Sequence, residues 1–352
     1  MSEIWAAEMK VLYLSRNMNN YKRAMYQKDL MEALSEKVNV DFYGPGFEGF
    51  DEQKSLVKAI DFDKQAYDCI VVGHAWLKDG EGKEIDPFPS LRLDETPVKK
   101  IVILNKEYTN LKGKLEWIRR MGFAHGFSHH HDVEEYQSAT NVQFTFIPFA
   151  VNEDRFIAKR WIDKKYDLSF SGILQNRSEN SGQSDTRVNV MKELFYCLGD
   201  LPLMKKKRHA NLRIFWNSIP RSMIQEKIAR RVGLHRFMDD HDYAKMQAMS
   251  KAYLNTLSPY NLVSPRFFEN MASKTLIICE ESVHVKRIIP NDCYVGFNGT
   301  MHDFIEKLYY YVHNEGEWDK IVSRAYDYVL DKHTWRKRAD VITKKIEDLQ
   351  RE

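Results

Sequence analysis

Short apolar runs that lack polar alternation must bury both faces of the strands they form, and the chain carries several: KVLYLS from Lys10, DCIVVGH, and KIVILNKEY. Two-sided burial belongs to parallel sheets covered by helices, and parallel neighbours need crossovers of a dozen residues or more. The intervening segments supply them. YKRAMYQKDLMEALSEK, SLVKAI, KGKLEWIRRMG and DVEEYQSA read as helices, VNVDFYG and QFTFIPFAV as further strands, with a short segment, AHGFSHH, between the last two helices. The pattern predicts an α/β domain over 1–151.

Charge without strand period then marks a linker over 152–165, NEDRFIAKRWIDKK. A second alternating series follows over 166–317: strands YDLSFSG, NLRIFWN, YLNTL and TLIICEE; helices TRVNVMKELFYCLG, SMIQEKIARRVG, YAKMQAMSKA, RFFENMAS and MHDFIEKLYYYVH; and a turn near YVGF. Residues 318–352 read as helices with no strand left to pair. At 352 residues, two Rossmann-like halves each have enough chain to bury a core.

Composition narrows the function classes. Fifty-three basic against 50 acidic residues leave a net charge of +3, too balanced for general nucleic-acid binding. Cys69, Cys197, Cys279 and Cys293 are scattered without metal or disulfide spacing, which fits a reducing cytoplasm. No apolar run reaches membrane-spanning length and the N-terminus has no secretory pattern.

In open α/β sheets a ligand sits beyond the carboxyl ends of the strands. Ser15, Gly44, His74, Glu107, His129, Gly172, Asn217 and Ser258 fall at such ends. Neither G-x-x-x-x-G-K-[ST] nor a G-x-G-x-x-G after a strand is present, which disfavours kinase, ATPase and ordinary dinucleotide readings. The loop SGILQNRSENSGQSDTR instead offers backbone N–H groups, a helix N-terminus, Arg177 and Arg187, a set suited to a diphosphate or, alternatively, to a solvated surface. Arg266 and Glu269, three apart at the start of RFFENMAS, reach the same region: an arginine neutralises phosphate oxygens, and a glutamate accepts from both ribose hydroxyls. A first-turn glutamate favoured by the helix dipole is the alternative. Of HGFSHHHD, only alternate histidines in a strand face one side, so His125, His129, His130 and His131 do not read as a metal site. KKKRH, residues 205–209, reads as a solvated loop.

The run RFFENMASKTLIICEES with the following HVKRIIPNDCYVGF resembles the GT-B glycosyltransferases, specifically the group containing CgeB-like proteins and the phage DNA beta-glucosyltransferase. FSGILQNRS with Arg187, YGPGF, IPFAVNEDRF and HTWRKRAD are similar to further pieces of that group. Of the retaining E-x7-E signature only the second glutamate, Glu269, is present; the first position is Asn261. The resemblance implies two Rossmann-like domains facing across a cleft, with C-terminal helices packing back across them. It also implies a nucleotide diphosphate sugar, a UDP-sugar favoured, as co-substrate on the second domain.

Gly172, Arg177, Arg187, Phe237, Met238, Tyr260, Asn261, Arg266 and Glu269 are then the expected donor-binding residues. No metal or other cofactor is expected, because cations and helix N-termini stabilise the leaving diphosphate. For an inverting reaction the base is expected at a strand end of the first domain, Glu107 first and His74 as the alternative. The acceptor is a hydroxyl compound, a glycan by expectation, with DNA as the runner-up. A sugar-nucleotide epimerase and a non-catalytic nucleotide-sugar-binding protein remain the other readings.

Overall fold

In the computed structural model the described residues are 9–20, 25–76, 85–107, 109–173, 186–196, 206–219, 238–258 and 261–352. The chain divides into two compact units, Met1–Phe149 with Trp335–Glu352, and Ala150–Thr334.

The first unit holds β1 (Lys10–Leu14), α1 (Met25–Ser35), β2 (Asn39–Tyr43), the short α2 (Leu56–Ala59), β3 (Cys69–Gly73), β4 (Lys100–Leu104), α3 (Leu111–Met121), β5 (His125–Ser128), α4 (Val133–Thr140) and β6 (Phe144–Phe146). All six strands are parallel, in the order β2-β1-β3-β4-β5-β6. The short segment AHGFSHH contains the full strand β5. One sheet face buries Leu12, Leu14, Ile70, Val72, Val102 and Leu104 against Trp76, Trp117 and Ile118. The opposite parity, Val11, Tyr13, Val71, Ile101 and Ile103, is equally inaccessible, as two-sided strands require.

Packing between strands is tight enough to specify single residues. A Cβ at Gly73 would lie 1.8 Å from the Tyr13 hydroxyl, so only glycine fits beside that ring. At Gly44 the backbone is at φ +139°, and a Cβ would lie 2.0 Å from the Ser15 carbonyl oxygen. The GPGF loop thereby folds onto the end of β1, where Ser15 N–H donates to the Tyr43 carbonyl and Asn17 N–H to that of Pro45.

The second unit holds β7 (Tyr166–Ile173), α5 (Thr186–Leu194), β8 (Phe195–Tyr196), β9 (Lys206–Lys207), β10 (Ile214–Ile219), α6 (Asp240–Ala248), β11 (Ser250–Asn255), α7 (Pro265–Ala272), β12 (Leu276–Glu280), the short α8 (Val283–Lys286), β13 (Val295–Phe297), α9 (Met301–His313) and α10 (Glu315–Lys332). Its main sheet is parallel throughout, ordered β10-β7-β11-β12-β13. YVGF, expected as a turn, supplies the edge strand β13. The expected helix SMIQEKIARRVG lies outside the described residues.

The expected C-terminal helices divide between the units. α10 stays with the second, where Trp318 Nε1 donates to the Lys251 carbonyl at 2.7 Å. α11 (Trp335–Arg351) packs in the first: Arg338 donates from Nε to the Pro148 carbonyl at 2.6 Å and from Nη2 to the Phe149 carbonyl at 3.2 Å. Lys37 pairs with Asp340 at 2.8 Å and Arg336 with Glu36 at 2.8 Å.

Candidate functional site

Both sheets share one winding pattern, with the first strand flanked by the second on one side and the third on the other. The chain changes direction between first and third strands, β1/β3 and β7/β11, and the crevice beyond their carboxyl ends is where such folds take ligands.

In the second unit that place is built by α7. Ser264 stands at its N-cap and Pro265 at its first turn, which fixes where the helix begins. Phe267, Phe268, Met271 and Ala272 go to the core, and Asn270 Nδ2 donates to Asn255 Oδ1 at 3.0 Å, tying the helix to the end of β11. Arg266 and Glu269, on the remaining face, are half-buried.

Arg266 Nε donates to the Tyr243 hydroxyl at 3.1 Å, its sole hydrogen bond among the described residues, and it makes no ion pair among them. Its terminal nitrogens lie at β7, where a Cβ at Gly172 would stand 3.4 Å from Nη1. The guanidinium also lies 5.9 Å above the Tyr253 ring, and Tyr253 is locked to the Ser171 backbone by bonds of 2.8 and 3.0 Å. Burial opposes the charge on Arg266, but the neighbouring tyrosine oxygens and Glu269 carry it above the ordinary arginine value.

A second cation stands beside it. Arg187, in the first turn of α5, donates from Nε to Thr256 Oγ1 at 2.7 Å, just past β11. Burial, reinforced by the charge of Arg266, brings Arg187 down to about 10, still protonated at neutral pH. Glu269 Oε2 accepts from the Tyr243 hydroxyl at 3.1 Å and from Gln247 Nε2 at 3.4 Å. Two guanidinium groups close enough to repel, with the Glu269 carboxylate joined to Arg266 through the Tyr243 hydroxyl, form a site whose charge an anion would complete.

Gly172, Arg187, Arg266 and Glu269 are thus gathered at one strand-end locus. Arg177, Phe237 and Tyr260 lie outside the described residues. Met238 lines a pocket along β10 with Trp216, Asn217 and Met246, a lining that includes none of those four residues. Asn261 adopts φ +59°, a left-handed conformation that asparagine tolerates. Tyr243, Gln247, Tyr253 and Thr256 were not singled out by sequence. Tyr243 and Gln247 are spaced i, i+4 on α6 and share a face, the one available sign that both meet the same partner.

In the first unit, the ends of β3 and β4 are pinned together: Trp76 N–H donates to Asn105 Oδ1 at 3.2 Å and Asn105 Nδ2 to the Trp76 carbonyl at 2.9 Å. Glu107 sits just beyond, 1 % exposed, and accepts from Ser128 Oγ at 3.0 Å. Burial raises its carboxyl above the usual range, against the opposing effects of its own backbone, Ser128, His130 and Lys114.

His74 takes φ +44°, a strained conformation for a residue with a Cβ. Its Nε2 meets His129 Nε2 at 2.7 Å, and His129 Nδ1 meets the Ile147 carbonyl at 2.8 Å. The carbonyl requires a proton on His129 Nδ1, so His129 Nε2 accepts from His74 and leaves His74 Nδ1 as an acceptor with no partner among the described residues. Burial holds His74 well below the ordinary histidine value and brings His129 to about 4, so the pair is neutral.

His130 and His131 lie beyond β5 in irregular backbone, so strand alternation does not separate them. Their rings stack at 4.6 Å and both meet Asp132, at 3.4 and 3.3 Å; potential ligand atoms of the three lie within 4.8 Å of one another.

Residues 195–344 match the family model described as glycosyl transferase-like. No curated protein matches the sequence significantly. Among solved structures, HepE from Anabaena, in complex with UDP and glucose, is similar with a TM-score of 0.59 at 10% identity, over 97% of this chain and 100% of that one. Sucrose-phosphate synthase from Thermosynechococcus elongatus gives 0.61 at 12% identity over 97% and 99%. AviGT4, a glycosyltransferase of avilamycin A biosynthesis, gives 0.54 at 12% over 97% and 98%. With two parallel doubly wound sheets and a glycosyl transferase-like stretch spanning most of the second, the chain has the GT-B glycosyltransferase fold.

Proposed function

We propose that this protein is a glycosyltransferase that binds a UDP-sugar on its second unit and moves the sugar to a hydroxyl acceptor, a glycan by preference, held by the first. The observation that carries the reading is the adjacent Arg187 and Arg266 at the ends of β7 and β11, with Arg266 lacking any ion pair among the described residues. The fork of Arg266 and the Gly172 backbone take the diphosphate, and Glu269 takes the ribose hydroxyls. Likeness to a structure holding UDP and glucose favours uridine as the nucleoside.

As the glycosidic bond breaks, negative charge gathers on the diphosphate, and two preplaced guanidinium groups stabilise it at no reorganisation cost. These cations do the work that a bound divalent ion does elsewhere, so transfer proceeds without one. The acceptor hydroxyl loses its proton to Glu107. A buried carboxylate with a raised pKa is a stronger base than an ordinary one, which suits this role.

The test is release of UDP from UDP-sugars in the presence of glycan acceptors. Glu107→Gln should lower kcat by about 10²- to 10⁴-fold, the range of general-base contributions, with UDP affinity unchanged. Transfer that survives this substitution would remove Glu107 from the reaction. Transfer abolished by EDTA would show that the arginines do not suffice.

A further inference from the structure

Tyr243 touches both arms of the proposed clamp through a single atom. Its hydroxyl oxygen accepts from Arg266 Nε at 3.1 Å, and its proton goes to Glu269 Oε2 at 3.1 Å. One O–H satisfies both contacts without conflict, because arginine only donates and an ionised carboxylate only accepts. Arg266 and Glu269 share a face of α7, three residues apart, but they make no ion pair of their own among the described residues. The bridge between them comes instead from the first turn of α6.

The consequences differ for the two partners. For Arg266 the tyrosine is the sole hydrogen-bond partner among the described residues, so this bond fixes the rotation of a guanidinium that otherwise rests only on the Tyr253 ring and the Gly172 backbone. For Glu269 it fixes one carboxylate oxygen together with Gln247. Asp239 caps the helix that carries the tyrosine, accepting from Asp242 N–H at 2.8 Å, which makes the first turn of α6 a firm support. Burial, with the charge of Glu269 added, drives the Tyr243 hydroxyl well above the ordinary phenol value, so it keeps its proton at all working pH.

We infer that Tyr243 is a positioning residue that couples diphosphate recognition by Arg266 to ribose recognition by Glu269, and that it sets the preference for ribo- over deoxyribonucleotides. The inference rests on the donor-site reading above. Without the hydroxyl the guanidinium is free to turn, and the carboxylate loses a charge-assisted bond that holds it towards the sugar.

Calorimetric titration of wild type and Tyr243→Phe with UDP and with 2′-deoxy-UDP tests it. Wild type should bind UDP more tightly than 2′-deoxy-UDP. In Tyr243→Phe, affinity for UDP should fall roughly 10- to 100-fold, as expected for one lost bond network to charged groups. The ratio between the two nucleotides should shrink towards one, which a loss of general stability would not produce. On an Arg266→Met background, where no guanidinium is left without its partner, the same substitution should still erase that ratio; this arm decides the matter if the single variant does not fold. Wild type binding UDP, with Tyr243→Phe binding both nucleotides as wild type does, overturns the inference and leaves the donor site standing. Failure of wild type to bind any nucleoside diphosphate overturns both.

Discussion

Arg266 and Glu269 show what spacing alone can reveal. Three apart on a helix they share a face, and their placement just after a buried strand puts them at the carboxyl edge of the sheet. Tyr243 and Gln247 stayed hidden because their roles depend on how α6 packs against α7, a tertiary contact with no local sequence mark beyond their own i, i+4 spacing. Among buried residues, His74 and His129 carry the clearest pH signature. Both are held below the value of an unfolded histidine, so the unfolded chain binds protons that the folded one refuses. Stability from His129 is present above about pH 6.5 and is lost as pH falls towards about 4, at up to roughly 1.4 kcal/mol per pH unit, and the burial of His74 acts in the same direction. Urea midpoints measured across that window should fall steeply in wild type. They should fall less in His129→Gln, whose amide can still donate to Ile147 and accept from His74. A parallel fall in both proteins would contradict the assignment.

At the scale of elements, buried strands were the most legible part of the chain, since an apolar run between helices has few other solutions. The exceptions are instructive. β13 is three residues long and contains Gly296, so it has too little apolar length to outweigh its turn-like flanks, and pairing with β12 forms it. β5, HGFS, is polar at both ends, and its identity comes from lying between β4 and β6. Close packing of elements makes two substitutions costly. Gly73→Ala forces β3 away from Tyr13 and should lower stability by about 1–3 kcal/mol, the usual cost of overpacking. Arg338→Ala strips two carbonyls of their donor where α11 meets the chain after β6, and about 1–3 kcal/mol of the first unit's stability should go with it. Chemical denaturation followed by tryptophan fluorescence measures both, and an unchanged midpoint for either would show that the contact is dispensable.

For the whole molecule, two series of strands and helices predicted two doubly wound sheets, and each sheet has the same winding order about its first strand. That repetition is why the two candidate loci fall at equivalent places, the ends of β1/β3 and β7/β11. Sequence reasoning assigned the C-terminal helices to neither half, because an amphipathic helix does not name the surface it covers. In the fold α10 belongs to the second unit and α11 to the first. The central claim is that the second unit holds a nucleoside diphosphate between Arg187, Arg266 and Glu269. Calorimetric titration of UDP into wild type and Arg266→Met tests it most directly. The account predicts saturable binding by wild type and a loss of roughly 10- to 100-fold in the variant, whose fold and melting temperature are otherwise retained. Binding of equal strength in both proteins, or no binding of UDP, GDP or dTDP by wild type, would contradict it.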